Sequence, residues 1–178
     1  MRWIYFLLIT YAAVLIQTTV GQVLWLPTPA GWIAPVFLAA MAVFVAMFVR
    51  SRLDVLLAAW TLGMATDLTL SGPGMGLLAL LFLAGAWGVF NLREAFFCER
   101  VATQVIMALL FCLFVFEAWA VYQVLLGDLP GGQFARLALQ AAGISVYTAA
   151  LTPLICAALR RMQRVLLSFP TGRGRERR

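Results

Sequence analysis

The sequence predicts an all-α integral membrane protein with six transmembrane helices and both termini in the cytoplasm. Three observations carry this. The 178-residue chain is 64% hydrophobic and only 11% charged, whereas a soluble domain is roughly half apolar and about a quarter charged. Its apolar residues fall into six runs near the length, about 20 residues, that a helix needs to cross a hydrocarbon core. Its arginines divide unequally between the connections on the two sides. A fold of this size has too little interior to hide so much apolar surface, so lipid is the solvent for most of it.

The first run, 3–20, opens behind Arg2 alone. It is long, holds Gln17 and shows no small-x-small cleavage pattern, so it reads as a retained span rather than a signal peptide. The second, 32–49, follows an outer loop punctuated by Pro27, Pro29, Gly31 and Pro35. The third, 53–70, begins behind Arg50 and Arg52, with Asp54 in its first turn, where negative charge suits the helix dipole. The fourth, 75–90, is short and follows a glycine-rich elbow. The stretch "NLREAFFCER", 91–100, mixes Phe96 and Phe97 with paired charges and belongs in the inner interface. The fifth and sixth runs are 101–126 and 137–159. Unbroken Leu- and Ala-rich runs favour helices over the alternating strands of about ten residues that a barrel uses. The chain thus divides into a six-helix membrane domain, 1–159, and a basic cytoplasmic tail, 160–178.

The net charge of +6 comes from thirteen Arg and no Lys. With the amino terminus inside, Arg2, Arg50, Arg52, Arg93, Arg100 and the seven of the tail face the cytoplasm, and only Arg136 lies outside. Arg excess in short loops marks the cytoplasmic side. The tail follows an apolar run directly, which suits anionic lipid headgroups, with Arg160, Arg161 and Arg164 nearest the membrane. Nucleic acid is not an expected partner, because the aromatic–basic interleaving of single-strand binders is missing. There is no His, and Cys98, Cys112 and Cys156 lack metal-ligand spacing. No metal or cofactor is expected, and the thiols read as inert.

The elbow "GMATDLTLSGPGMG", 63–76, places Asp67 among four glycines. At about 1.5 Å per residue, the fourteen positions from 53 to 67 reach about 21 Å into a core of about 30 Å. Gln17 in the first run and Glu117 in the fifth come to similar heights. Thr18, Thr19, Gln140 and Ser145 enter the same zone. A charge near mid-membrane costs about 2.5–3.5 kcal/mol on insertion scales. Gln17, Asp67 and Glu117 are therefore expected to face one another, a wet recess or a partner's backbone. Arg136 can pair with Glu117. Plainer roles stand beside these. Asp67 can cap a shortened helix, Glu117 can face outside water, and Gln17 can make one ordinary interhelical bond. The glycines can serve the turn alone, and Gly72 and Gly76, like Ala59 and Gly63, match small-xxx-small spacing.

The chain resembles the rod shape-determining protein MreD family. The likeness rests on "LIQTT" (15–19) closing the first helix, and on "AWTLGMATDL" (59–68) followed by the glycine-rich elbow. It also rests on Pro35 introducing the second helix, on the closing "TPLICAALRRMQR" (152–164), and on length and topology. The resemblance implies a non-enzymatic, multi-pass component of the bacterial inner membrane. It implies membership of the cell-elongation assembly that makes peptidoglycan, with MreC, a single-span protein with a large periplasmic part. The other implied partners are MreB filaments, the RodA glycosyltransferase and a class B penicillin-binding protein. The family is also similar in fold to the substrate-binding subunits of energy-coupling-factor vitamin transporters.

Three functions follow. The first is a scaffold whose outer polar layer docks a partner segment. Gln17, Thr18, Asp67 and Glu117 would line that layer, and Gly63, Gly72 and Gly76 would allow close backbone approach. The second is the capture of a small molecule in the same layer, as in a vitamin transporter subunit. The third, a membrane enzyme using Asp67 and Glu117, ranks last, because no nucleophile or metal ligand accompanies the pair.

Overall fold

The computed structural model describes residues 3–28, 31–70, 76–93, 100–126 and 133–166. These form six helices and one hairpin: α1 (Trp3–Val23), β1 (Leu26–Thr28), β2 (Gly31–Ile33), α2 (Phe37–Phe48), α3 (Arg52–Leu70), α4 (Leu77–Leu92), α5 (Val101–Leu125) and α6 (Phe134–Leu166). Each expected apolar run contains a helix. Two of them, α5 and α6, are long and apolar enough to cross a membrane. α6 carries Pro153 within it and runs without a break through the expected domain boundary at 159. The hairpin lies at one end of the bundle. The ends of α2 and α4 and the start of α5, with their arginines, lie at the other.

The second run departs most from expectation. Instead of a span over 32–49, it gives strand β2 and a helix of 12 residues, only about 18 Å long. Pro35 has no N–H to donate and disfavours helix in the residue before it, so α2 starts late. Val36 and Val49 on its two flanks are both extended. The helix is apolar on every side, and Leu38 to Met47 are all buried. A helix apolar all round belongs in an interior. α2 packs against all five other helices and forms the axis of the bundle.

A buried helix must still satisfy the polar groups at its ends. The sequence of α2 offers no capping side chain, so its neighbours supply them. At the hairpin end, Val36 N–H donates to Thr148 Oγ1 of α6 at 3.1 Å. Leu38 N–H donates to Gln17 Oε1 of α1 at 3.3 Å. At the arginine end, Arg93, just past α4, donates through Nη1 to the carbonyls of Ala46 and Val49. Its guanidinium lies 3.8 Å from the centre of the Phe90 ring.

Helices α3 and α4 pack backbone to backbone. A Cβ on Gly63 would sit 2.5 Å from the Cα of Ala79 and 3.0 Å from the carbonyl oxygen of Leu78. At the start of α3, Ser51 Oγ accepts from Asp54 N–H at 3.4 Å. Asp54 lies in the first turn, as expected.

The first connection, expected as an outer loop, contains a hairpin. Leu26 stands opposite Ile33 and Pro27 opposite Trp32. Thr28 Oγ1 donates to the Gly31 carbonyl at 2.6 Å. Trp25 and Trp32 pack with ring centres 5.9 Å apart. The hairpin folds onto α6, where the Ile33 side chain meets the backbone at Gly143. Around the bundle, large apolar side chains stay exposed: Ile4, Leu8 and Tyr11 on α1, Leu53 on α3, Leu80 on α4, Leu110 and Phe114 on α5, and Leu154 on α6.

Candidate functional site: a recess under the hairpin

A cavity of about 430 Å³ opens beneath the hairpin. Five helices and the hairpin build it. α1 contributes Gln17, Thr18 and Gly21, α3 contributes Thr69, and α4 contributes Leu78. Phe116 and Trp119 come from α5, and Gln140 and Ile144 from α6. Trp25 and Trp32 form the hairpin wall, and Ala34, Pro35 and Val36 line the approach to α2. The walls are therefore aromatic, and the polar groups are amides and hydroxyls. Among the described residues, no lining side chain carries a charge.

The two glutamines differ in their commitments. Gln140 Nε2 donates to the Trp32 carbonyl at 2.9 Å, tying the hairpin to α6. Its side chain also fills the space beside Gly31, whose φ of +138° suits glycine. Gln17 uses its oxygen on the Leu38 N–H, which leaves its amide nitrogen without a bonded partner among the described residues. Thr18 lines the recess, but its hydroxyl donates back to the carbonyls of Val14 and Leu15 at 3.1 Å.

Gln17, Asp67 and Glu117 do not meet. Gln17 reaches the recess, while Asp67 and Glu117 are not among its lining. Asp67 Oδ2 accepts from Gly76 N–H at 2.9 Å and from Ala79 N–H at 3.4 Å. Gly76 is the residue capping the amino end of α4, in left-handed conformation at φ +95°. A carboxylate from α3 thus does the work that Gly76 and Ala79 lack side chains to do. Its charge also suits the positive end of α4. The plainer reading of Asp67 as a cap holds, although it caps the following helix rather than its own.

The glycines follow the same logic. Gly63 serves the α3–α4 contact and Gly76 serves the turn, so both are used within the chain rather than left open for a partner. Gly72 lies outside the described residues. Glu117 falls on the face of α5 that carries exposed Leu110, Phe114 and Val121. It forms no pair with Arg136 among the described residues.

The chain matches no protein-family model, no curated protein and no solved structure.

The arginine end also departs from expectation. Arg160, expected at the headgroups, is half-buried and packs against the end of α2. Its guanidinium lies 4.7 Å from the centre of the Phe48 ring, and its Nη2 is buried without a hydrogen-bond partner among the described residues. The negative end of α2 and the face of Phe48 both attract a cation there. Arg161, like Arg50 and Arg52, is exposed. The side chain of Arg164 and residues 167–178 lie outside the described residues.

Several residues that shape the recess carry no separate signal in the sequence. Trp25, Trp32 and Trp119 sit near the ends of apolar runs, where Trp ordinarily reads as an interface anchor. Arg93 reads as one more inner-loop cation. Nothing in the sequence marks it as the cap of a helix 44 residues earlier.

Proposed function

We propose that the chain is a multi-pass protein of the bacterial inner membrane, with six embedded helices and both termini cytoplasmic. It serves as a non-enzymatic scaffold of the cell-elongation complex, docking an MreC-like partner. The observation that carries the membrane reading is the girdle of exposed large apolar side chains on α1, α3, α4, α5 and α6. Soluble monomers rarely expose contiguous apolar patches beyond a few hundred Å². The grouping of arginines at one end, against Arg136 alone at the other, supports the orientation. The resemblance to the MreD family supports the elongation role. Asp67, Gln17 and Arg93 act as helix caps, which favours a structural role for them over chemistry. Exposed Arg50, Arg52 and Arg161 suit contact with anionic lipid.

The recess favours a second reading, capture of a small molecule by a subunit of the vitamin-transporter kind. Its volume falls within the range of about 300–1,000 Å³ typical of ligand sites. Its uncharged lining suits a neutral ligand with a flat face and hydrogen-bonding edges.

Affinity purification in mild detergent separates the two. Mass spectrometry of proteins and small molecules together should find an MreC-like protein with the wild-type chain. The chain should also restore rod shape to cells lacking their own such component. A stoichiometric small molecule without a protein partner would replace the scaffold reading with the capture reading.

A further inference from the structure

On α5, the exposed side chains recur at helical spacing: Ile106, Leu110, Phe114, Val121 and Leu125. At 100° per residue, Glu117 lies within about 20° of both Ile106 and Leu110, inside that stripe toward its Ile106 edge, and is itself half-buried. Val121 follows one turn later. The opposite face of α5, with Ala108, Cys112, Val115 and Phe116, is buried in the bundle. Glu117 thus stands on the outer, apolar side of a helix 25 residues long, four residues past its midpoint. Its carboxylate has no hydrogen bond or ion pair among the described residues. Among the described residues, nothing in the recess or at the caps of α2 uses it.

We propose that the Glu117 stripe of α5 docks a single transmembrane helix of a partner protein that carries one basic side chain near its middle. This rests on the membrane reading and adds to it the docking face that the scattered polar layer does not supply. In hydrocarbon, an ionisable side chain on the outer face needs a partner, and a cation brought by another helix provides the complementary charge. Leu110, Phe114 and Val121 supply the apolar contact on either side. A second copy of this chain is the weaker fit. A two-fold contact through α5 would set Glu117 against Glu117, and the stripe carries no cation to relieve it.

The test uses the full chain in phosphatidylcholine vesicles, with Phe114 replaced by the photoreactive p-benzoylphenylalanine. The probes are two Leu-rich transmembrane peptides, identical except for one Arg or one Leu at the centre. The Arg peptide should crosslink at a peptide-to-lipid ratio at least about tenfold lower than the Leu peptide. Glu117→Leu should remove that preference, and Glu117→Gln should weaken it at least about threefold. The same photoreactive group at Val146, an exposed position on α6, should not distinguish the peptides. Equal labelling by both peptides, an unchanged preference in Glu117→Leu, or chain-to-chain adducts in place of peptide adducts would each overturn the docking face. Flotation with the vesicles, scored in the same samples, tests the membrane reading by itself. A chain that floats but fails to discriminate loses only the docking face.

Discussion

Asp67 on α3 and Gly76 at the head of α4 are joined by a 2.9 Å hydrogen bond from the glycine N–H to a carboxylate oxygen. The same oxygen takes the Ala79 N–H. One side chain therefore closes the elbow and caps the next helix. Asp67→Leu should leave both N–H groups without an acceptor and lower stability by about 1–3 kcal/mol. Asp67→Asn keeps an oxygen in place and should lose less than half of that. Thermal melting in detergent decides, and a Leu variant as stable as wild type would show the cap to be dispensable.

Two glycines of the same region should fail for different reasons. At Gly63 the obstacle is the α4 backbone, so Gly63→Ala should cost about 1–3 kcal/mol through overpacking. At Gly76 a Cβ meets nothing within 4 Å and the obstacle is conformational. Gly76→Ala should cost about 1–2 kcal/mol. Asn tolerates the left-handed region, so Gly76→Asn should be milder than Gly76→Ala, while Gly63→Asn should be worse than Gly63→Ala. Melting of the four variants reverses that ranking if the assignments are wrong.

The two ends of α2 are served by different side chains. Gln17→Leu removes one acceptor and Arg93→Leu removes the donor to two carbonyls, with losses of about 1–3 kcal/mol each. The sites lie about 18 Å apart along the helix, so the double variant should be additive to within about 0.5 kcal/mol. Strong coupling in the melting data would mean that α2 responds as one rigid piece.

The register of the hairpin is open to a covalent test. Leu26 and Ile33 are directly opposed, within reach of a disulfide at a Cα separation of about 5.5 Å. With the three native cysteines changed to Ala, Leu26→Cys/Ile33→Cys should oxidise readily under mild conditions. Leu26→Cys/Trp32→Cys should not. Equal crosslinking of both pairs would indicate a mobile loop.

The helices were legible in the sequence because apolar runs bounded by Arg, Gly and Pro leave few other choices. Which way a side chain points was not. α5 is apolar on all sides, so no polar face announces the phase that turns Glu117 outward and Phe116 inward. Asp67 was recognisable as out of place, but its partners lie beyond a turn whose geometry the sequence leaves open. Arg160 reads as a headgroup contact because the sequence does not reveal that α6 passes beside the end of α2, within reach of Phe48. The hairpin is not legible in the sequence because Pro27 and Pro29 argue against strand, although an isolated two-stranded edge tolerates proline.

The bond between Val36 and Thr148 spans 112 positions of the chain. On a ribosome, the first of these residues emerges long before the second exists. A segment about 18 Å long is also too short to bridge a hydrocarbon layer of about 30 Å unaided. The axis of the bundle therefore cannot settle when it is made. It waits for the last helix, so the final third of the polypeptide completes the core of the first, and a chain truncated before α6 should be degraded rather than accumulate as a smaller bundle.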